Sequence, residues 1–175
     1  MTDYRRYRRN GGTYFFTVNL TERKQKLLTE HIDTLREAFR TVKNAHRFVI
    51  EAAVVLPEHL HTIWTLPEGD DDFSLRWRQI KSAFSREIEK GERISKSRQR
   101  RHERGLWQRR FWEHLIRDEN DLNRHIDYIH FNPVKHGYVQ RAADWQFSSF
   151  HRYVRLGILP ADWGASIEVC NLDLD

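Results

Sequence analysis

Two apolar, β-branched runs separated only by Pro57 and Glu58 constrain this chain more than any other feature. "HRFVIEAAVVL" (46–56) and "HLHTIWTL" (59–66) are rich in Val, Ile, Thr and aromatic residues, and each reads as a strand. Pro57 has no N–H to donate to a ladder, so the first run ends there, and a second strand this close pairs with it through a short turn. The neighbouring segments must fold around that hairpin. "TYFFTVNL" (13–20) reads as an earlier strand. "LTEHIDTLREAFRTVKN" (28–44) sets Ile32, Leu35, Phe39 and Val42 at helical spacing, with Thr29 as the candidate cap. "SLRWRQIKSAFSREIEK" (74–90) does the same with Leu75, Ile80, Phe84 and Ile88, capped by Ser74. Gly91 to Gly105 is Arg/Lys/Ser-rich and reads as a mobile basic loop. "LWQRRFWEHLI" (106–116) reads as a fourth strand, and "DENDLNRHIDYIHFN" (118–132) as a helix that Pro133 stops. A small helix near "FSSFHRYVRLG" (147–157) completes the body.

The order β-α-β-β-α-β, plus appended C-terminal helices, predicts an α+β, ferredoxin-like antiparallel sheet with helices on one face. No Gly/Ser linker or internal repeat divides the chain, so one domain is expected over 1–160, followed by a tail over 161–175. Net charge is +5 and the pI about 9.5. The tail holds Asp162, Glu168, Asp173 and Asp175 without Lys or Arg, which is −4 and leaves +9 for residues 1–160. Such a basic, aromatic-rich body suits a polyanion, although a merely soluble basic surface has the same composition. No apolar run approaches the roughly 20 residues needed to span a bilayer, and the Arg-rich start lacks the apolar core of a secretory signal. The one cysteine, Cys170, allows neither an internal disulfide nor a Cys-based zinc site, which fits a reducing cytoplasm.

On a strand, alternate residues share a face, so His59 and His61 project together with Ile63 and Thr65, while Leu60, Trp64 and Leu66 take the better core face. Two imidazoles on one pleat can converge on a cation; they can equally be ordinary histidines bonded to neighbours. Metallo-β-lactamase-like sites need an Asp two residues after the second His, where Ile63 stands. Cupin sites need a nearby Glu, where Thr65 and Leu66 stand. In the later helix, Leu122, Ile126 and Ile129 form the stripe that docks on the sheet. Tyr128 and Asn132 are i, i+4 neighbours on its flank, with Asp121 and His125 close by. An Asn amide oxygen is a competent ligand for a hard cation. His125 and His130 read as surface residues able to assist proton transfer.

The strand "LPEHLHTIW" followed by the helix "YIHFNPVKHGYV" resembles the HUH single-tyrosine transposases, most closely the REP-associated tyrosine transposases. The resemblance extends through "GGTYFFTVNL" and "WQRRFWEH" to nearly the whole body. It implies a metal held by His59, His61 and Asn132, where some relatives carry Gln, and a nucleophilic Tyr128. It implies a divalent Mg or Mn ion and a 5′-phosphotyrosine intermediate formed at single-stranded DNA beside a palindromic hairpin. Insertion-sequence relatives are dimers that complete each other's sites; REP-associated members are expected to act as monomers. For DNA capture the candidates are Arg5, Arg6, Arg8 and Arg9 of the arm, and Arg98, Arg100, Arg101 and Arg104 of the loop. Arg109 and Arg110 flank Trp107 and Trp112, a mix suited to holding backbone and stacking bases. A non-catalytic DNA- or RNA-binding module of the same fold is the alternative, and an acidic tail folded over the basic site is a further expectation.

Overall fold

In the computed structural model, which describes residues 7–164, four strands form one antiparallel sheet. They are β1 (Thr13–Asn19), β2 (Val49–Val55), β3 (His59–Thr65) and β4 (Trp112–Leu115), ordered β2-β3-β1-β4. The helices are α1 (Leu27–Glu30), α2 (Ile32–Ala45), α3 (Phe73–Glu87), α4 (Lys96–Arg100), α5 (Glu119–Lys135) and α6 (Phe150–Arg155). This is the expected ferredoxin-like arrangement. Among the described residues no helix is long and apolar enough to cross a membrane.

The pleat of β1 sorts the molecule. Tyr14, Phe16 and Val18 join Leu60 and Trp64 under α2 and α3, which contribute Leu35, Val42, Phe73, Trp77 and Phe84. Trp64 and Trp77 stack at 4.3 Å there, and Phe48 meets Trp64 at the same distance. Phe15, on the opposite pleat, joins Ala52, Val54 and Ile63 against Tyr128 and Ile129 of α5. The two helices of the β-α-β-β-α-β unit therefore share one face, and the appended α5 covers the other.

The hairpin turn is held from two sides. The Leu56 N–H bonds the His59 carbonyl at 2.9 Å, while the Pro57 and Glu58 carbonyls accept the N–H groups of Leu28 and Leu20. His59 thus starts β3 at a fastened corner. The free side of β2 is covered by the C-terminal segment: Val55 N–H bonds the Phe147 carbonyl, and Ser149 N–H bonds the Ala53 carbonyl. An uncovered edge would offer open ladder groups to another chain.

Several boundaries differ from the sequence expectation. The helix expected from Thr29 begins at Leu27 and bends at His31, because the buried Leu28 is anchored beneath the hairpin turn. Asp72, not Ser74, caps α3, its carboxylate accepting the Leu75 N–H at 3.0 Å. Only Trp112–Leu115 of the fourth run is strand, since Leu106 and Trp107 instead turn into the core. Pro133 does not stop α5; Gly137 does. At φ +71° Gly137 lets its own N–H reach the Val134 carbonyl and the Tyr138 N–H reach that of Pro133, the paired bonds of a Schellman cap. The basic loop is tied down and contains α4. Arg104 bonds both Glu92 oxygens, at 2.6 and 2.7 Å, and the carbonyls of Ser85, Ile88 and Glu89. The same guanidinium pulls the Glu92 carboxyl down to about 2.

Candidate active site

β3 and β1 hold the two histidines in register. His61 lies opposite Thr17, and its Nδ1 is 2.8 Å from the Thr17 hydroxyl. His59 lies opposite Asn19, and its Nδ1–H donates to the Glu58 carboxylate at 3.0 Å. The Glu58 carboxylate can only accept, so His59 Nδ1 carries the proton and Nε2 keeps its lone pair, as in ligands braced by a second residue, while Thr17 holds the plane of His61. The ring centroids are 4.9 Å apart, and His61 is only 4% exposed. Burial lowers the pKa of both imidazoles, His61 most strongly, and for His59 it outweighs the nearby Glu58. Both are therefore neutral near pH 7, the form that binds a metal.

Helix α5 supplies the facing wall. Its first turn is capped by Asp118, which accepts the Asp121 N–H at 2.8 Å. Tyr128, Asn132 and His136 then follow at four-residue intervals along one side. The Tyr128 ring meets His61 edge-on at 5.2 Å, and the His136 ring meets His59 at 5.2 Å. Asn132 lies between those two contacts, one helical turn from each. It is completely buried, and among the described residues neither its Oδ1 nor its Nδ2 has a hydrogen-bond partner; nor has His61 Nε2. Buried polar atoms are nearly always bonded, so Asn132 Oδ1 and His61 Nε2 are two acceptor atoms with capacity left for a ligand. Two imidazole nitrogens and an amide oxygen suit Mn²⁺ well and Mg²⁺ acceptably, with positions left for oxygen ligands. Lys135 sets its ammonium 5.1 Å from the centre of the Tyr128 ring.

Sequence reasoning missed His136, and with it the double use of Glu58, which also accepts the Tyr138 hydroxyl at 3.1 Å. It also missed the bracing roles of Thr17 and Glu58. A second group, His114, Asp121 and His125, brings its donor atoms within 4.8 Å of one another. His114 Nε2 and His125 Nδ1 lie 2.8 and 3.1 Å from the Asp121 carboxylate, and His125 Nδ1 is also 2.8 Å from the Asp121 carbonyl. His125 and His130, expected at the surface, are buried, and His130 is spent on a 2.8 Å bond to Ser149.

The expected DNA-binding residues scatter. Arg5 and Arg6 lie outside the described residues. Arg8 is drawn to the start of α3 by Asp71 and Ser74, on the side of the sheet away from the histidines. Arg98 binds the carbonyls of Arg104 and Trp107, and Arg104 is the tie already described. Trp107 is 6% exposed and packs on Phe84, so it has no face for a base. Arg109 pairs with Glu103 at 2.8 Å. Arg9, Arg100, Arg101 and Arg110 are exposed. Of the acidic tail only its first residues are described, and Trp163 there packs on Phe150 and His130; Glu168, Asp173 and Asp175 lie outside the described residues.

Comparison with known proteins identifies the family. The family described as "Transposase IS200 like" matches residues 11–132. A REP-associated tyrosine transposase of Escherichia coli K12 is 51% identical over 170 residues, covering 95% of this chain and 93% of its own length. The solved structure of a REP-associated tyrosine transposase bound to a REP hairpin matches with a TM-score of 0.82 and 50% identity, over 95% of this chain and 93% of that one. On the family match, the sequence identity and the shared fold, this protein belongs to the IS200-like transposases, enzymes that act on DNA.

Proposed function

We propose that this transposase cuts and rejoins single-stranded DNA beside a hairpin through a covalent bond to Tyr128. One observation carries the reading: the Tyr128 ring rests against His61, one turn from an Asn132 whose buried amide is unbonded. The Tyr128 oxygen attacks the scissile phosphorus and the bond to the 3′ oxygen breaks, giving a 5′-phosphotyrosine. The phenol loses its proton to water and the 3′ oxygen takes one up, so the step is balanced and runs backwards onto a second 3′ end. His59, His61 and Asn132 would hold a Mg²⁺ or Mn²⁺ ion, which would supply Lewis-acid polarisation of the phosphate. Thr17 and Glu58 keep the imidazoles aimed, and Lys135 supplies positive charge beside the nucleophile.

Hairpin DNA as the substrate is supported by the solved relative, which is bound to a REP hairpin. Arg9, Arg100, Arg101 and Arg110 are the exposed cations on which a phosphate backbone would lie. Because Tyr128 and both histidines come from one chain, the site needs no second copy, and the protein acts as a monomer.

The test is a denaturing gel after incubation with hairpin-bearing single-stranded DNA and Mn²⁺. Wild type should give a covalent adduct and Tyr128→Phe none, with hairpin affinity alike in both. Hairpin binding without any wild-type adduct would overturn the cleavage reading and leave a binding module.

A further inference from the structure

A tryptophan on an edge strand is usually covered. Of the six tryptophans here, all within the described residues, Trp112 alone is exposed, at 45%. Its position is not incidental. In the sheet register Trp112 lies opposite Thr17, which in turn lies opposite His61 and bonds its ring. Trp112 and His61 therefore stand on the same face, two strand spacings, or roughly 10 Å, apart. Phe15 bridges them, touching the rings of Trp112 at 5.7 Å and of His61 at 5.5 Å, and meets Tyr128 at 5.9 Å.

Behind the indole stands a built support. The Trp112 and His114 rings are within 9° of parallel, and His114 stacks on His125 at 4.7 Å and 15°. Asp121 locks both imidazole planes, reaching His114 Nε2 at 2.8 Å and His125 Nδ1 at 3.1 Å, while its own position is set by the Arg117 N–H at 3.0 Å. The two near-parallel imidazoles, both committed to one carboxylate, make a rigid support 5.9 Å from the indole and a poor open ligand set for a metal. The column ends in the one indole left to solvent, with the exposed Arg110 and Arg117 on either side of it in sequence. A large, flat, preoriented π-surface in a basic stretch of chain suits a nucleobase.

We propose that Trp112, held by the His114–Asp121–His125 column, is the stacking platform for one unpaired base of the DNA strand, close to the scissile phosphate. This rests on the reading of the Tyr128 site as one that acts on single-stranded DNA. The platform fixes where the strand enters the site, so Trp112 is a positioning residue and leaves the reacting atoms to others.

The probe is a hairpin oligonucleotide with single-stranded flanks, carrying 2-aminopurine at each flanking position in turn. Without metal, the strand stays intact. Stacking on an aromatic should quench the probe at one position when wild type binds. Trp112→Phe should keep most of that quenching; Trp112→Ala should lose it and weaken binding roughly ten- to hundredfold. With an abasic site at that position, wild type and Trp112→Ala should bind equally. If no position's quenching depends on residue 112, or if Trp112→Ala binds as tightly as wild type, the platform is refuted. Adduct formation with Mn²⁺ is read separately. Trp112-dependent quenching without any wild-type adduct would uphold the platform while refuting cleavage, whereas a Tyr128 adduct without such quenching would do the reverse.

Discussion

The two faces of the sheet differ in kind, for the α5 face sets a polar cluster beside its apolar one. Beneath α2 and α3, Trp64, Trp77, Phe16, Phe73 and Phe84 fill the space with apolar rings. Beneath α5 the same sheet carries His59, His61 and Thr17, facing Tyr128, Asn132 and His136. One face buries surface at about 25 cal/mol per Å² of apolar area and gains stability from it. The other buries polar atoms, some without partners, and each such atom lowers stability unless something binds it. A small sheet can carry so polar a face because its apolar face is so densely filled.

That division can be broken from either side. Trp77→Ala empties the ring stack and should cost about 3–5 kcal/mol of unfolding free energy, measured by urea titration. It should leave the adduct yield per folded molecule unchanged; a matching fall in yield would mean that the faces are not separable. Asn132→Leu should act with the opposite sign in metal-free protein. Removing an unbonded buried amide should raise stability by about 1–3 kcal/mol, while the Mn²⁺-dependent rise in melting temperature seen in wild type disappears. A lower melting temperature without metal would show that Asn132 has a structural partner instead.

The smallest effect concerns pH. Burial holds the His130 imidazole down to about 3, with Arg152 and His151 adding to the shift. The unfolded chain takes up this proton near pH 6.5, and the folded one refuses it. The contribution of His130 is therefore complete above pH 6.5 and lost as pH falls toward 3, by about 1.4 kcal/mol per pH unit at most. Urea midpoints measured between pH 7 and pH 4.5 should fall less steeply for His130→Gln than for wild type. Equal slopes would mean that His130 is protonated in the fold.

Much of this was legible in the sequence, because periodicity reports which face a side chain takes. The hairpin around Pro57, the strand order and the apolar stripe of α5 all follow from spacing alone. Partners do not. Trp107 and Trp112 occupy similar Arg-rich surroundings five residues apart, yet one is a core residue and the other faces solvent. Arg104 reads as a free cation until Glu92 is seen closing on it. Pro133 reads as a helix end, but proline loses only a bond near a C-terminus, and Gly137 has the backbone freedom to turn the chain. Thr17, Glu58 and Asp121 brace site residues contributed partly by other elements, which no local pattern records.

The caps on α5 have one more consequence. Held by Asp118 at one end and Gly137 at the other, the helix turns as a single rod, so Tyr128, Asn132 and His136 keep a common phase. Each residue advances that phase by about 100°. A single residue inserted between Tyr128 and Asn132 would turn the amide out of line with the phenol without moving the phenol, uncoupling two parts of the helix face by rotation alone.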